Sequence, residues 1–517
     1  MNEIETGENE MSEGHRTLLS NLAAVRAVTS AIEGTLGPKG LDCMLVDENG
    51  EVILTNDGVT ILQHLEVAHP AARLLIQAAR AQERAVGDGT TTATILAGAL
   101  IGEGIDQILR GVPVTRVIDG LRAGIAEVLA ELNALRRPID GLSDPALRSV
   151  ALVAGRSDAS LAETVLAGAG LLGPARLAAA GFSLAECVLG MEGAADEAYP
   201  GVIVEREPAS LEMPVRLGET RVILLAGALE PDPLPPEALS TAAGLHRAEA
   251  RQAAFRAELA SLADGGIGLV FAGRGMAESA VQFFAERGIL GVRRVADRDL
   301  RRVASLCGAR LARRVPEPPL SGANPYIGRI ASAEFDVNAR ILRLAGGPGP
   351  AEATIVIGGR TTEVVAERER IARDAASSVQ QAIKGGVVPG GGAVELALSR
   401  ALARHSAGGL AAYGLACVRE ALKRPLAQLA ANAGYNPLAK VEEVYTAQER
   451  TGQASLGFDP ETGSVLDVVE AGVVDPYPVK EHALRTAGEV ATAILRINNI
   501  LKMHTGSRED GTWHDPN

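Results

Sequence analysis

The sequence is poor in aromatic residues and in clusters of positive charge. Its 517 residues include six Tyr, seven Phe and one Trp, and its formal net charge is −14. A nucleic-acid surface needs clustered Lys and Arg, and single strands also need aromatic side chains on which bases can stack. These two shortages argue against DNA or RNA as a partner.

The sequence also lacks paired cysteines and long apolar runs. Its cysteines, Cys43, Cys187, Cys307 and Cys417, show no metal-binding or disulfide spacing, which indicates reduced thiols used for packing in a cytoplasmic protein. No run approaches the roughly 18 apolar residues that a membrane span needs, and the acidic stretch Met1–Gly14 does not resemble a signal peptide. We therefore expect a cytoplasmic protein that does not enter a membrane.

Helical spacing is abundant. Leu18, Leu22, Val25 and Ile32 lie on one face of a helix that is expected to end near Gly34. The length of the chain predicts roughly three to four domains. From about residue 200 to 306, short β-branched strands alternate with helices, which predicts a parallel sheet with covering helices. The sequence thus predicts a mixed fold of helices and strands with helix in excess.

The clearest chemical signal is Gly87-Asp88-Gly89-Thr90-Thr91-Thr92. The glycines allow a sharp turn around Asp88, and a helix beginning near Thr90 would direct its unpaired N–H groups and positive dipole end at a phosphate. Asp88 would repel a bare phosphate, so a divalent cation between the two makes the combination favourable. The stretch predicts a magnesium–nucleotide site, and the alternative is an ordinary capped helix start.

Other turns resemble parts of the same site. The stretches Thr35–Gly40 and Val387–Ala393 place glycines where a backbone can lie against a nucleotide, although such turns are individually weak signals. Thr55–Gly58 contains Asp57, a second carboxylate whose alternative role is a helix N-cap. Near the C-terminal end, Val474-Asp475-Pro476 is expected to cap a final helix.

Two short apolar strands, Met44–Val46 and Val52–Leu54, flank an Asn-Gly turn and predict a β-hairpin. A two-stranded ribbon is only marginally stable by itself. No third strand is evident nearby in the sequence, so we expect the hairpin to pair with a neighbouring subunit.

Two charged residues in the middle of the chain are candidates for a phosphate-linked role. Arg156 follows Gly155 at the end of a predicted helix and could sense a phosphate, although exposed arginines are usually just solvated. Asp374 lies among alanines on a long predicted helix from about Thr362 to Lys384, where charges ordinarily face water. Both alternatives remain open from the sequence alone.

Taken together, these motifs resemble those of chaperonins. The family pattern is carried by Thr35–Gly40, Thr55–Leu62, Gly87–Thr94, Val388–Ala393 and Asp475, in that order. The stretches His69-Pro70-Ala71-Ala72 and Val86–Thr92 are most similar to the thermosome and the cytosolic ring chaperonins. The compact, Ala-rich and Arg-rich chain resembles the bacterial thermosome-like group, the group III chaperonins.

The resemblance implies a multidomain α+β fold. A helical equatorial ATPase domain would comprise residues 1–135 and 390–517, drawn from both chain ends. A small intermediate hinge domain would comprise residues 136–199 and 349–389. An α/β apical domain would comprise residues 200–348 and carry a short built-in lid protrusion at about residues 231–262, where Leu234, Leu239, Leu245 and Phe255 could contact clients or pack in a core.

The resemblance also implies a site for ATP and Mg²⁺. It assigns the metal ion to Asp88, and it likens Asp57 and Asp374 to the carboxylates that orient and deprotonate the attacking water. This assignment suits hydrolysis of a γ-phosphate, which needs metal-neutralised oxygens and a water near a carboxylate. The nucleotide-binding residues that it implies are Leu36, Gly37, Pro38, Gly89, Thr90, Thr91, Thr92, Arg156, Gly390, Gly391 and Asp475.

The function implied is that of an ATP-dependent chaperonin subunit. Such subunits form a double ring, bind unfolded polypeptides and enclose them for folding with the built-in lid, without a separate co-chaperonin. The proline-rich stretch that begins at Pro231 differs from the strand-like segment that usually precedes the lid in this group. The expected lid is also shorter than is usual for the group. The alternative function is a nucleotide-binding ring scaffold for specific partners with little folding activity. A third reading, a small-molecule kinase, lacks an evident acceptor site.

Overall fold

The computed structural model describes residues 2–46, 50, 52–232, 242–317, 320, 324–404, 409 and 411–501, and for residues 2–13 it describes the backbone alone. The hairpin turn expected at residues 47–49, the proline-rich residues 233–241 with Leu234 and Leu239, and the tail from residue 504 lie outside this part of the chain.

The helices, numbered along the chain, are α1 (Asn2–Glu33), α2 (Gly58–His64), α3 (Pro70–Val86), α4 (Thr90–Leu109), α5 (Val114–Ala134), α6 (Pro145–Ala154), α7 (Ala159–Ala178), α8 (Ala242–Asp264), α9 (Glu278–Arg287), α10 (Asp297–Cys307), α11 (Thr362–Gly385), α12 (Ala393–Ala403), α13 (Ala411–Ala421), α14 (Arg424–Asn432), α15 (Pro437–Thr451) and α16 (Tyr477–Leu495).

The strands are β1 (Cys43–Val46), β2 (Val52–Thr55), β3 (Val188–Glu192), β4 (Glu197–Tyr199), β5 (Val202–Val204), β6 (Arg216–Leu217), β7 (Thr220–Leu225), β8 (Ile267–Ala272), β9 (Leu290–Val292), β10 (Ile327–Ile330), β11 (Ser332–Asp336), β12 (Ile341–Ala345), β13 (Thr354–Gly359), β14 (Val387–Pro389), β15 (Leu456–Phe458), β16 (Val465–Asp467) and β17 (Val474–Pro476).

The chain divides into two compact units. The first, here called the terminal unit, consists of Met1–Pro138 and Gly385–Asn517, and the second, the inserted unit, consists of Ile139–Lys384. The terminal unit is mainly helical and is drawn from both chain ends, as the sequence predicts. The finer boundaries predicted for three domains stay predictions.

The core of the terminal unit is formed by helices from both chain ends. Helix α16 packs on α3, α4 and α5, while α13 packs on α5. Their apolar side chains recur at helical spacing and are almost fully buried, as are those of α1, and each such Leu, Ile or Val contributes about 1.5–3 kcal/mol relative to an exposed position. This packing fixes the ends of α3, α4 and α16 relative to one another.

Helix α4 is also apolar and long enough to span a membrane by length and composition alone. Its most apolar 18-residue window is 61% buried within the protein, and the helix packs against α1, α3 and α16. Core helices of globular units commonly have this composition, so the apolarity of α4 is accounted for by its burial.

Two helix boundaries differ from the sequence-based expectation. Helix α1 extends back to Asn2, well before Leu18, through a Glu-rich stretch that contains no proline. The segment Val474–Pro476 does not simply cap the last helix, because it forms β17, which pairs antiparallel with β14. Only Pro476 occupies the N-cap position of α16. The residue before a proline favours extended backbone, which explains why Asp475 lies in a strand.

The inserted unit contains several sheets. Strands β7, β8 and β9 are parallel, as predicted, and β10 is added antiparallel at the edge of β7. A separate antiparallel sheet with the order β5-β12-β11-β6 was not anticipated. A further sheet has β13 at its centre, parallel to β3 and antiparallel to β4. The unit is thus an α/β structure with an additional antiparallel layer.

Of the predicted lid at about residues 231–262, the structure describes residues 231–232 and 242–262, and the latter lie in helix α8. Phe255 is buried in the core of the inserted unit, so it packs rather than forming a free contact surface. Leu245, near the start of α8, is 55% exposed and remains available for contacts with other molecules. The two candidate lid residues that the structure describes therefore have different roles.

Candidate functional site

Asp88 lies in a tight turn between two helices. Helix α3 ends at Gly87 with φ 67°, and Gly89, with φ 77°, is the N-cap of α4. Both glycines have left-handed backbone, which other residues adopt only at a cost. Thr90, Thr91 and Thr92 then form the first turn of α4, where the N–H groups have no partner within the helix. The predicted glycine turn around Asp88 and the helix start at Thr90 are both present, while the magnesium–nucleotide role stays a prediction.

The turn that contains Asp57 lies directly against this first turn of α4. A Cβ atom built on Gly58 would lie 2.5 Å from Oγ1 of Thr91 and 3.3 Å from Oγ1 of Thr90. Asp57 also caps α2, since its Oδ1 accepts from Val59 N at 3.1 Å and its Oδ2 from Thr60 N at 3.0 Å. The capping role is therefore real. A carboxylate has about four acceptor positions, so capping does not exhaust its capacity.

The glycine turn before α12 lies beside Asp475. Gly391 and Gly392 have φ of 60° and 77°, and Gly392 is the N-cap of α12. Strands β14 and β17 pair here, and Gly390 N donates to Val473 O at 3.0 Å. A Cβ atom on Gly390 would lie 3.2 Å from Cγ of Asp475. A larger residue at this position would therefore crowd the carboxylate.

Asp475 is held by a buried lysine. Nζ of Lys480 lies 2.9 Å from Oδ2 of Asp475 and 2.6 Å from Oε1 of Glu395. Burial by itself lowers the pKa of Lys480, but the two carboxylates outweigh burial and raise the pKa above its ordinary value. Lys480 is therefore a permanent cation that fixes the position of Asp475. Sequence reasoning identified neither Lys480 nor Glu395.

Helix α14 brings the Leu36-Gly37-Pro38 turn and the Gly390–Gly392 turn together. Nδ2 of Asn432 donates to the backbone oxygens of Glu33 and Leu36, both at 2.9 Å. A Cβ atom on Gly37, which has φ 83°, would overlap Leu429. At the other end of α14, a Cβ atom on Gly392 would lie 2.9 Å from Cα of Leu426. One helix thus contacts both glycine turns.

The turn that contains Asp88 also contacts the start of α16. A Cβ atom on Gly89 would lie 2.6 Å from Cγ1 of Val479, which is in the first turn of α16, four residues after Asp475. The turns around Asp57, Asp88, Gly37 and Gly391 and the strand residue Asp475 therefore belong to one connected cluster in the terminal unit. The most distant members, Gly37 and Asp475, are more than 400 residues apart along the chain because the inserted unit lies between them.

A third carboxylate at this cluster was missed by sequence reasoning. Glu83 lies on the last turn of α3, where its backbone oxygen accepts from Gly87 N at 2.8 Å. Burial, followed by the charges of Asp57 and Asp88, raises the pKa of Glu83 to about 7. Glu83 also lines a cavity of about 580 Å³ together with Gln63, His64, Arg80 and Arg84. The feature of the sequence that could have identified Glu83 is its position on a predicted helix, about one turn before Asp88.

Two predicted site residues, Arg156 and Asp374, belong to the inserted unit. Arg156 has φ 52° and its Nη1 lies 2.9 Å from Oε1 of Glu367 on α11, so it is paired rather than simply solvated. Asp374 is half-buried on α11, between the buried alanines Ala372 and Ala375. The expectation that an aspartate on this Ala-rich helix faces water is therefore only partly met.

The residues of the terminal unit suit a magnesium–nucleotide complex. Within the described residues, no group of three or more His, Cys, Asp or Glu side chains could hold a metal ion unaided. Mg²⁺ is usually held by one or two carboxylates together with substrate phosphates, which fits a single ligand such as Asp88. The start of α4 supplies N–H donors for phosphate, and the glycines at positions 37, 89 and 390 allow the turns of the cluster to pack closely on neighbouring residues.

Comparison with known proteins identifies the family. The model of the TCP-1/cpn60 chaperonin family matches residues 28–505. The chain belongs to this family. This chaperonin is 32% identical over 512 residues to thermosome subunit beta of Archaeoglobus fulgidus, covering 95% of this chain and 93% of the relative. It is 31% identical over 504 residues to a thermosome subunit of Methanopyrus kandleri, covering 93% and 91%.

A solved structure supports the same branch. The crystal structure of a group III chaperonin in the open state matches this chaperonin with a TM-score of 0.85 and 40% identity, covering 95% of this chain and all of that one. The predicted thermosome-like branch and multidomain α+β fold are thereby confirmed. As a family member, this chaperonin is an ATP-dependent subunit of a double-ring assembly and an ATPase coupled to protein folding.

Proposed function

We propose that the connected cluster in the terminal unit is where this chaperonin binds and hydrolyses Mg–ATP. The observation that carries this proposal is the convergence of the turns around Asp57, Asp88, Gly37 and Gly391 with Asp475. Local helix caps explain each turn singly, but they do not explain why turns from opposite chain ends meet. A shared ligand that needs a metal-binding carboxylate, phosphate donors and a nucleoside contact does explain it.

The phosphate side of the proposed site is the start of α4. Asp88 would hold Mg²⁺, which when bound neutralises the charge on the phosphate oxygens. Gly89, Thr90, Thr91 and Thr92 would bind the phosphates through backbone N–H groups and hydroxyls, assisted by the positive end of the helix dipole. Leu36, Gly37 and Pro38 would contact the phosphates from the turn that α14 supports.

The nucleoside side is the turn before α12. Gly390 and Gly391 would let the backbone lie against the nucleoside, and Asp475 would accept hydrogen bonds from it. Because Lys480 fixes Asp475 and is itself buried, this acceptor is in place before the ligand arrives. Preorganised groups bind at a lower entropic cost.

Two carboxylates are proposed to act on the attacking water. Asp57 is fixed by its bonds to the start of α2, and it lies in the turn that touches the first turn of α4. Asp374 would provide the second carboxylate from α11, and it would accept the proton of the water as a general base. Arg156 would report the state of the phosphates, with Glu367 as its partner when phosphate is absent.

The wider function concerns clients and assembly. We propose stacked rings that bind unfolded polypeptides, a built-in lid at about residues 231–262, no separate co-chaperonin and a cytoplasmic location. Leu211 and Val337 of the inserted unit are 88% and 62% exposed, which suits capture of apolar chain segments. Met44 and Val46 of the β1–β2 ribbon are also exposed, which supports pairing with a neighbouring subunit.

The catalytic assignment is tested with Asp374→Ala. This variant should bind Mg–ATP with unchanged affinity and hydrolyse it about 100-fold or more slowly, because a general base is removed and the metal ligand is retained. Glu363→Ala, at the exposed start of the same helix, is the matched control and should hydrolyse ATP normally. Phosphate release by Asp374→Ala at the normal rate would contradict the assignment.

The folding function is tested with the same variant. A denatured client should be refolded by the unchanged protein with ATP, and Asp374→Ala should bind the client and fail to complete repeated cycles. Electron microscopy of negatively stained particles should show double rings, and side views with and without ATP should differ in whether the ends of the rings are open or closed. Rings that bind nucleotide yet never improve client refolding would instead indicate the scaffold function.

A further inference from the structure

Gln82 is a fully buried residue of α3 that joins two distant parts of the connected cluster, the Asp88 turn and the start of α16. Its Nε2 donates to Asp88 O at 2.9 Å and to Val479 O at 3.2 Å. Its Oε1 lies 2.6 Å from Nδ1 of His482 on α16. One amide therefore connects the loop of the proposed metal ligand to a helix nearly 400 residues further along the chain.

The chemistry of these contacts determines the protonation of His482. Both contacts of Nε2 are carbonyl oxygens, so the amide nitrogen must face them and the amide oxygen must face His482. The oxygen only accepts, and hence Nδ1 of His482 carries the donated hydrogen. Burial also lowers the pKa of His482, which favours a neutral ring. His482, as a donor to Oε1, therefore supports the same orientation of the Gln82 amide that the two carbonyl oxygens require.

The loop that Gln82 holds has only local anchors of its own, since Gly87 N donates to Glu83 O at 2.8 Å and Gly89 N donates to Oδ1 of Asp88 at 2.5 Å. Asp88 is flanked by Gly87 and Gly89, which have no side chains that could anchor the turn. Gly89 is pressed between two residues, because a Cβ atom there would lie 2.6 Å from Cγ1 of Val479 and 3.1 Å from Nε2 of Gln82. From outside the loop, Gln82 thus holds the carbonyl group of Asp88, and the start of α16 packs against Gly89.

We propose that Gln82, oriented by His482, is a positioning residue for Asp88 and sets the affinity of the site for the metal–nucleotide complex. This inference rests on the proposed role of Asp88 as the magnesium ligand. Gln82 touches neither metal nor nucleotide; it acts by holding the backbone of the ligand residue. Outer partners of metal ligands typically contribute 10–100-fold to metal affinity.

The test compares binding of ADP with and without Mg²⁺ by calorimetry, using the full-length assembled protein. Gln82→Met keeps the side-chain length and removes all three bonds. It should weaken Mg–ADP binding about tenfold or more and leave ADP binding in EDTA within about twofold. Gln380→Met is the matched control, since Gln380 is also buried and donates to Leu177 O and Phe182 O in the inserted unit. It should leave Mg–ADP binding unchanged.

A second variant covers the case in which Gln82→Met does not fold. His482→Leu leaves Gln82 in place but removes its partner, and it should weaken Mg–ADP binding in the same direction by a smaller factor. Unchanged Mg–ADP affinity in the folded Gln82 and His482 variants, with a clear loss in Asp88→Asn, overturns the positioning role. Unchanged affinity in Asp88→Asn overturns the proposed metal site instead. Equal weakening in Gln380→Met also overturns the inference.

Discussion

The buried Lys480 forms an ion pair with the partly buried Asp475, with 2.9 Å between Nζ and Oδ2. The same ammonium group lies 2.6 Å from Glu395, whose other oxygen, Oε2, has no hydrogen-bond partner among the described residues. One cation therefore compensates two carboxylates in a buried environment. Such an arrangement depends strongly on the shared cation, because either carboxylate alone would be an uncompensated buried charge.

Replacing Lys480 by Met should destabilise the terminal unit and weaken nucleotide binding together. Removal of one partner from a buried ion pair costs about 3–5 kcal/mol, so the midpoint of thermal unfolding should fall by several degrees. Arg485→Met on the same helix is the control, since its ion pair with Glu481 is exposed and such pairs contribute about 1 kcal/mol or less. Equal losses of thermal stability in the two variants would show that the Lys480 ion pair stabilises the protein no more than an exposed pair does.

Gly58→Ala should disrupt the contact between the Asp57 turn and α4. The added Cβ would lie 2.5 Å from Oγ1 of Thr91, so the two elements must move apart and ATP binding should fall about tenfold or more. Gly102→Ala, within α4, meets only Leu22 at 3.8 Å and should stabilise the helix by about 0.5–1 kcal/mol. Calorimetric titration with ATP and thermal unfolding distinguish the two. Normal ATP affinity in Gly58→Ala would contradict the close contact.

Glu83 should make stability depend on pH in the absence of metal and nucleotide. Its pKa is about 7 in the folded protein and 4.5 in the reference state, so the folded state holds the proton more tightly. Stability should therefore be unaffected by this group below pH 4.5 and should decrease as the pH rises from about 4.5 to 7. The total loss is on the order of 3 kcal/mol.

Glu83→Gln provides the check, because the amide resembles the protonated acid. In EDTA, this variant should unfold at a higher temperature than the unchanged protein at pH 8 and at the same temperature near pH 4.5. Glu442→Gln, at an exposed position of α15, should show no such difference. If Glu83→Gln gave no gain in stability at pH 8, the carboxyl would not be buried beside Asp57 and Asp88.

Thiol reactivity should single out Cys43. Burial raises the pKa of Cys187 and Cys307 to about 11 and that of Cys417 to about 12, so these thiols carry almost no thiolate at pH 8. Cys43 is partly exposed on β1. A maleimide or aromatic disulfide reagent should therefore modify at most one thiol in the native protein and four in guanidinium. Rapid modification of Cys187, Cys307 or Cys417 would contradict their burial.

The parts of the site that the sequence predicted are those with a local signature. Gly87 and Gly89 around Asp88, and the glycines before α12, are residues whose backbone requirement can be recognised without knowing the fold. From the sequence, Asp57 could be either a helix N-cap or a functional carboxylate. The structure shows that it caps α2 and that the same turn contacts α4. Local patterns thus identified the turns but not their connections.

The connections depend on which helix faces meet, and spacing alone does not determine that. Gln82 and His482 are 400 residues apart, and nothing in either neighbourhood marks them as partners. Lys480 on α16 and Glu395 on α12 are 85 residues apart along the chain, and they become partners only where these two helices meet. The antiparallel sheet of the inserted unit was missed for a similar reason, since Leu342–Leu344 pairs with the distant and very short β5.

The insertion of residues 139–384 between the two parts of the terminal unit also governs how the polypeptide can mature during translation. The inserted unit is contiguous, so its core is complete as soon as its own stretch has left the ribosome. The turn at Asp88 emerges earlier than the inserted unit, but the partner of Gln82 on α16 is absent until Tyr477–Leu495 has been synthesised. The hydrogen bonds between Gln82 and α16 therefore form only after the whole inserted unit has been synthesised, and a product truncated before α16 lacks them.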